Sequence, residues 1–132
     1  MPRHRIYWVM VPVFALFLTA LPAVAHHSFV AEFDGNKKFV VSGMLTKVDW
    51  INPHIAIYLD AKDESGKTVT YTFASGPPST LHRAGVKVSD FKIGQMVTIT
   101  AAPAKDGAKH LGWLQMIKYP DGHVFVYRNG SE

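Results

Sequence analysis

The chain of 132 residues contains no cysteine. That excludes a disulfide framework, the common support of small exported domains, and it excludes lipid attachment behind the apolar N-terminal run. Gly-rich phosphate loops, haem-attachment patterns, zinc-peptidase patterns and nucleophile elbows are also missing, so the motif-borne enzyme chemistries have no foothold. There is no internal repeat, no low-complexity tract and no long helical period, which disfavours an all-helical fold. One stretch lacks charge altogether: residues 6–21, IYWVMVPVFALFLTAL.

What is present begins around that stretch. Arg3 and Arg5 precede it, and PAVA follows it, with Ala23 and Ala25 at the two small-residue positions of an A-x-A site. A basic start, an apolar middle and a small-residue end predict a secretory signal peptide over 1–25, removed behind Ala25. The competing reading is a retained anchor, since this run approaches the ~20 residues that span a bilayer. Pro12, Pro22 and the cleavage site favour removal, so contact with a membrane is expected only if the segment stays uncleaved. The mature chain would open at His26 and hold 107 residues, enough for one domain with a modest core. The leader takes Arg3 and Arg5 with it and no acid, so the net charge falls from +4 to +2. The basic balance of the full sequence is therefore poor support for nucleic-acid binding. The expected location is the bacterial periplasm.

The mature sequence reads as short alternating runs cut by turn residues, the pattern of an all-β domain. In VVSGMLTKVDW, Val41, Gly43 and Leu45 share a face, and the apolar phase then moves to Val48 and Trp50. That change predicts a β-bulge near Thr46 and Lys47, with Gly43 where a curved strand needs close backbone approach. NPH at 52–54 predicts a reversal. HIAIYLDAK then places Ile55, Ile57, Leu59 and Ala61 inward, with His54, Ala56, Tyr58 and Asp60 outward. DESGK is a hairpin loop, and TVTYTF returns with Val69, Tyr71 and Phe73 on one face. GPPSTLHRAGV predicts one or two turns of helix between Pro77 and Ala84. QMVTITA, with Val97 and Ile99 inward, LGWLQMIKY and VFVY complete the set. Three strands, a short helix and two or three more strands predict a small OB-fold-like Greek-key barrel of five or six strands. The boundaries are an N-terminal arm over 26–38, the barrel over 39–128 and a tail over 129–132.

HHSFVAEFD, VDWINPHIAIYLDAKDESGK, PAKDG and YPDGH together resemble a bacterial exported family of unknown function, domain of unknown function family 6152. The likeness spans the whole mature chain, most specifically at His26, His27, Ser28 and Phe29 and at Trp50, Asn52, Pro53 and His54. It implies a small exported domain and supplies no catalytic residue.

The chemistry rests on histidine. A free His26 would offer its α-amine and imidazole together, with His27 beside it, and nitrogen donors in this arrangement suit Cu(II). His54 is the candidate further ligand, with Asp49 and Asn52 as the groups that would orient it. The alternative is that His26 and His27 form a polar tail while the His54 ring bonds a turn carbonyl. The spacing of Phe29 and Phe33 argues for order, since each can dock on the barrel. Trp50, Tyr58, Tyr71 and Trp113 could form an aromatic platform, or pack as core. The surface expected to meet a ligand or partner comprises Trp50, Asn52, Tyr58 and Trp113. Lys62, Lys67, Lys105 and Lys109 read as a solvated rim. The expected function is a small, exported, non-catalytic binding or interaction module for an envelope protein or small ligand, without nucleic acid; the alternative is a periplasmic copper-binding protein.

Overall fold

The computed structural model describes residues 29–127; the leader, His26, His27 and the tail lie outside the described residues. A short helix, α1 (Phe29–Glu32), is followed by β1 (Phe39–Asp49), β2 (Ala56–Lys62) and β3 (Thr68–Ala74). Helix α2 (Pro78–Arg83) and a 3-10 turn (Val88–Asp90) lead to β4 (Met96–Pro103), β5 (Leu111–Lys118) and β6 (Val124–Val126). The sheet runs β3-β2-β1-β4-β5-β6, and β5 also pairs with β3. That last pairing is parallel, aligns Thr72–Ala74 with Leu111–Trp113, and closes five strands into a barrel. Strand β6 extends the sheet beyond the closure, pairing with β5 alone.

Alternation builds the interior. Ile55, Ile57, Leu59 and Ala61 are all buried, as are Val97 and Ile99, so both sets expected inward are inward. Val41 and Leu45 join them, and the β1–β2 register slips between Leu45 and Lys47. Thr46 occupies the slip, and its hydroxyl donates to the Tyr58 carbonyl at 3.2 Å. Beyond it the side chains exchange faces, which lets Val48 and Trp50 pack against the core from a new direction. The strand bends where Gly43 comes against β2: a Cβ there would lie 2.5 Å from the Asp60 carbonyl oxygen.

Helix α2 closes one end of the barrel. Pro78 begins it, where a missing N–H costs nothing, and Leu81 points inward with no exposure. Trp50 lies across this end, 5.8 Å from the Phe91 ring and 5.7 Å from His82 between centroids. At the opposite end, where β1 and β3 begin, the arm that follows α1 runs beside the end of β4. The buried cluster draws on residues from Phe33 to Tyr127, with Phe29 packed against it, so a chain starting at His26 retains all of it.

Two buried phenols tie stability to high pH. Burial, with Asp90 and Asp121 nearby, pushes Tyr119 up to about 12, and burial also raises Tyr127. A phenol harder to ionise folded than unfolded contributes stability that is fully present below the unfolded value of about 10 and is lost as pH rises through the folded value. The urea midpoint is therefore expected to decline between about pH 10 and about pH 12, with the last tyrosinate absorbance appearing together with unfolding. Complete tyrosine ionisation near pH 10 in a still-folded protein would contradict this.

Candidate functional site where the N-terminal arm meets the barrel

The arm docks through its two phenylalanines. Helix α1 is a single turn, closed by the Phe33 N–H donating to the Phe29 carbonyl at 2.8 Å. The four-residue spacing sets the two rings one above the other, with centroids 6.1 Å apart. Both lie on the indole of Trp113, Phe29 at 5.2 Å and Phe33 at 5.6 Å. Backbone bonds hold the arm in place: Asp34 N–H donates to the Pro103 carbonyl and Lys105 N–H to the Glu32 carbonyl, each at 2.9 Å. Leu114 faces the interior, so alternation turns Trp113 to the outside of β5, where the arm covers it to 6% exposure. Tyr127 completes the surroundings, 6.2 Å from Trp113, its hydroxyl accepting the Gly76 N–H.

His54 meets the same indole. Its ring is edge-on to Trp113 at 5.6 Å, and the side chain is exposed at the end of the loop between β1 and β2, which contains a cis Asn52–Pro53 bond. Nδ1 is 3.1 Å from the Ser75 carbonyl oxygen. A carbonyl only accepts, so Nδ1 carries the hydrogen and a neutral ring presents its lone pair on Nε2. The structure thus brings the arm and His54 together around Trp113.

Other expectations about the site change. Asp49 does not orient His54: its carboxylate accepts from Lys47 Nζ at 2.9 Å and from the Tyr58 hydroxyl at 3.0 Å. The Lys47 ammonium, then Tyr58, hold Asp49 below the usual carboxylate value, while Asp49 raises Tyr58. The His54 partner is a main-chain carbonyl 21 residues away. Nor do the four aromatics share a platform. Trp50 lies at the helix-capped end, Tyr58 under Lys47 beside Asp49, Tyr71 against Phe73 and His110, and Trp113 beneath the arm. Trp113 is therefore not part of an exposed ligand surface, while Asn52 is exposed in the β1–β2 loop. Among the described residues no three His, Asp or Glu side chains converge as a metal site.

Phe39, His110 and Leu111, which sequence reasoning did not single out, lie with Tyr71 at the end of the barrel away from α2. A cavity of about 490 Å³ opens there, lined by Phe39, Tyr71, Pro103, His110 and Leu111 among others. Phe39 and Leu111 begin β1 and β5 and Tyr71 lies mid-strand in β3, and each is only half-buried.

The closed five-strand order, with a helix between β3 and β4, defines a small β-barrel of the OB class. The model of a family of unknown function (DUF6152) matches residues 15–113. The chain belongs to that family. Among curated proteins nothing matches. Solved structures with similar chains include the mitochondrial single-stranded DNA binding protein Rim1 of S. cerevisiae, at 12% identity and TM-score 0.43, covering 71% of this chain and 96% of that one. TiaS in complex with agmatine is 17% identical at TM-score 0.47, covering 75% of this chain and 24% of that one. Yeast Stn1 and Ten1 follow at 15% identity and TM-score 0.39, with coverages of 70% and 43%. The barrel assignment stands on the strand order itself.

Proposed function

We propose that this protein is a small exported, non-catalytic binding domain that holds a transition metal, copper first, between its mature N-terminal histidines and His54. The observation that carries the reading is the shared indole: Phe29 and His54 both pack on Trp113, and the His54 Nδ1–H is committed to the Ser75 carbonyl. A histidine whose second ring nitrogen is tied to a carbonyl is fixed in tautomer and orientation, the usual condition of a metal-ligating imidazole. His27 precedes Phe29 by two residues and His26 by three, and three residues of chain reach roughly 10 Å. The arm therefore enters the fold within reach of the imidazole that would complete the donor set. The His26 amine and imidazole, the His27 imidazole and His54 Nε2 are all nitrogen donors, which favours Cu(II) with its tetragonal preference.

Nucleic acid is a poor ligand for this surface. The chain behind the expected leader carries a net charge of only +2, small for a surface that must hold a phosphate backbone. The test is a copper titration of the chain starting at His26, beside a control whose α-amine is acetylated. One-to-one binding is expected to weaken about a hundredfold or more in the control, and His54→Ala to weaken it about tenfold or more, as losses of single nitrogen donors at roughly 1.4 kcal/mol per decade. Equal affinity in all three would overturn the reading.

A further inference from the structure

We propose that strand β6 is a self-association edge, where a second copy of this chain pairs antiparallel through Val124 and Val126 about a twofold axis at Phe125. The pairing needs no metal and does not depend on the reading above.

The edge follows from the ladder. Strand β6 pairs with β5, Met116 with Val126, Ile117 with Phe125 and Lys118 with Val124. The Tyr119 N–H donates to the His123 carbonyl at 3.0 Å and the Tyr127 N–H to the Gln115 carbonyl at 2.8 Å. In an antiparallel pair, bonded and non-bonded positions alternate along the strand. His123, Phe125 and Tyr127 therefore point their main chain at β5, while Val124 and Val126 point theirs away. Among the described residues no hydrogen bond reaches the N–H or C=O of either valine. Their side chains are open as well, Val124 47% exposed and Val126 54%. Edge strands are ordinarily guarded by charge, proline or a bulge, and residues 124–127 have none of these.

The occupant is specified by self-complementarity. With the axis at Phe125, Val124 of one copy lies opposite Val126 of the other, and each such pair exchanges both of its main-chain bonds. The Phe125 side chains meet across the axis at a non-bonded position, where facing side chains stand closest. Phe125 already packs against the core, so it meets its twin in a fixed orientation. On the other face Val126 ends the row of Val40, Thr100 and Met116, and Val124 of the second copy extends that row. Charge agrees with this pairing. Lys118 comes into line with Val126 and Met116 of the second copy rather than with its Lys118. In sequence, Asp121 precedes the strand and Arg128 follows it, so antiparallel pairing sets the acidic flank of each copy against the basic flank of the other. A foreign peptide would meet the same main-chain groups, but this chain already carries the matching order of charge and apolar residues.

The contact is small. A strand of 3 residues covers less than the roughly 1,200 Å² at which stable interfaces begin, so the expected Kd is about 0.1–1 mM.

The experiment is sedimentation velocity of the chain starting at His26, with a chelator present, from about 10 µM to about 1 mM, a range that brackets this Kd. The weight-average mass is expected to rise with concentration toward that of a dimer. Amide hydrogen exchange of Val124 and Val126 should slow about two- to fivefold over the same range, as the monomer fraction falls. Phe125 and Tyr127, bonded within the chain, should be protected throughout. Val126→Pro removes an N–H that faces away from β5, a place where an edge strand tolerates proline, and is expected to leave a folded monomer at every concentration. Val126→Lys is expected to weaken association about tenfold or more, and Thr68→Lys on exposed β3 to leave it within about twofold. A monomer over the whole range, association unchanged in the Val126 variants, or equal weakening by Thr68→Lys would overturn the proposal. So would Val124 and Val126 amides already slow at the lowest concentration, the result of a tail lying over the edge.

Discussion

Replacing Trp113 with alanine is expected to destabilise the domain by about 3–5 kcal/mol, the usual cost of emptying a buried aromatic site. Trp113 is only 6% exposed and meets Phe29, Phe33, His54 and Tyr127. Its loss opens a cavity and also removes the seat of the arm. Domains of this size have a total stability of about 5–15 kcal/mol, so the urea midpoint should fall by about a fifth or more. Trp113→Phe keeps the apolar contact in part and should cost less than half as much. A loss under about 1 kcal/mol in the alanine variant would mean that the arm is not packed on the barrel.

The second large effect lies in β1. Gly43→Val is expected to cost about 3 kcal/mol or more, because the added Cβ meets main chain and no side-chain rotation relieves it. The Asp60 carbonyl oxygen would lie 2.5 Å away and the Ala61 Cβ 2.9 Å away. The two strands must separate just where the β1–β2 ladder begins at Met44 and Asp60, so the ladder itself is loosened. For a domain of about 100 residues this corresponds to a fall in Tm of roughly 10–20 °C. A thermal midpoint within about 3 °C of wild type would contradict the close approach.

Much of the barrel is legible in the sequence because its physics is local. A change of apolar phase between Leu45 and Val48 marks the bulge at Thr46, since a strand of period two cannot change faces otherwise. The short helix is legible from Pro77, Pro78 and Gly85, and the arm from the spacing of Phe29 and Phe33. Closure is different. The parallel pairing of Thr72–Ala74 with Leu111–Trp113 joins segments almost forty residues apart, and nothing in either segment names the other.

The candidate site divides in the same way. That His54 faces outward beside a turn follows from alternation, but its bond to Ser75 depends on how the β1–β2 loop lies over the end of β3. Asp49 is the carboxylate nearer in sequence, yet β1 and β2 pair so that Tyr58 and Lys47 are opposite one another, and both take it first. The proposed aromatic surface fails at Trp113 because periodicity distinguishes inside from outside only. It carries no information on what covers the outside. Likewise Phe39, Tyr71 and Leu111 look like core until the closed barrel shows them lining a cavity.

The measurement that tests the central claim most directly is paramagnetic broadening of amide signals by one equivalent of Cu(II) added to the chain starting at His26. The account predicts loss of the signals of residues 29–31, His54 and Trp113 together, because one metal would lie between the arm and the β1–β2 loop. Signals of Lys62, Glu64 and Lys67 at the far β2–β3 turn should survive. Broadening confined to the first residues, with His54 and Trp113 untouched, would contradict it, as would broadening centred on His110 or His123.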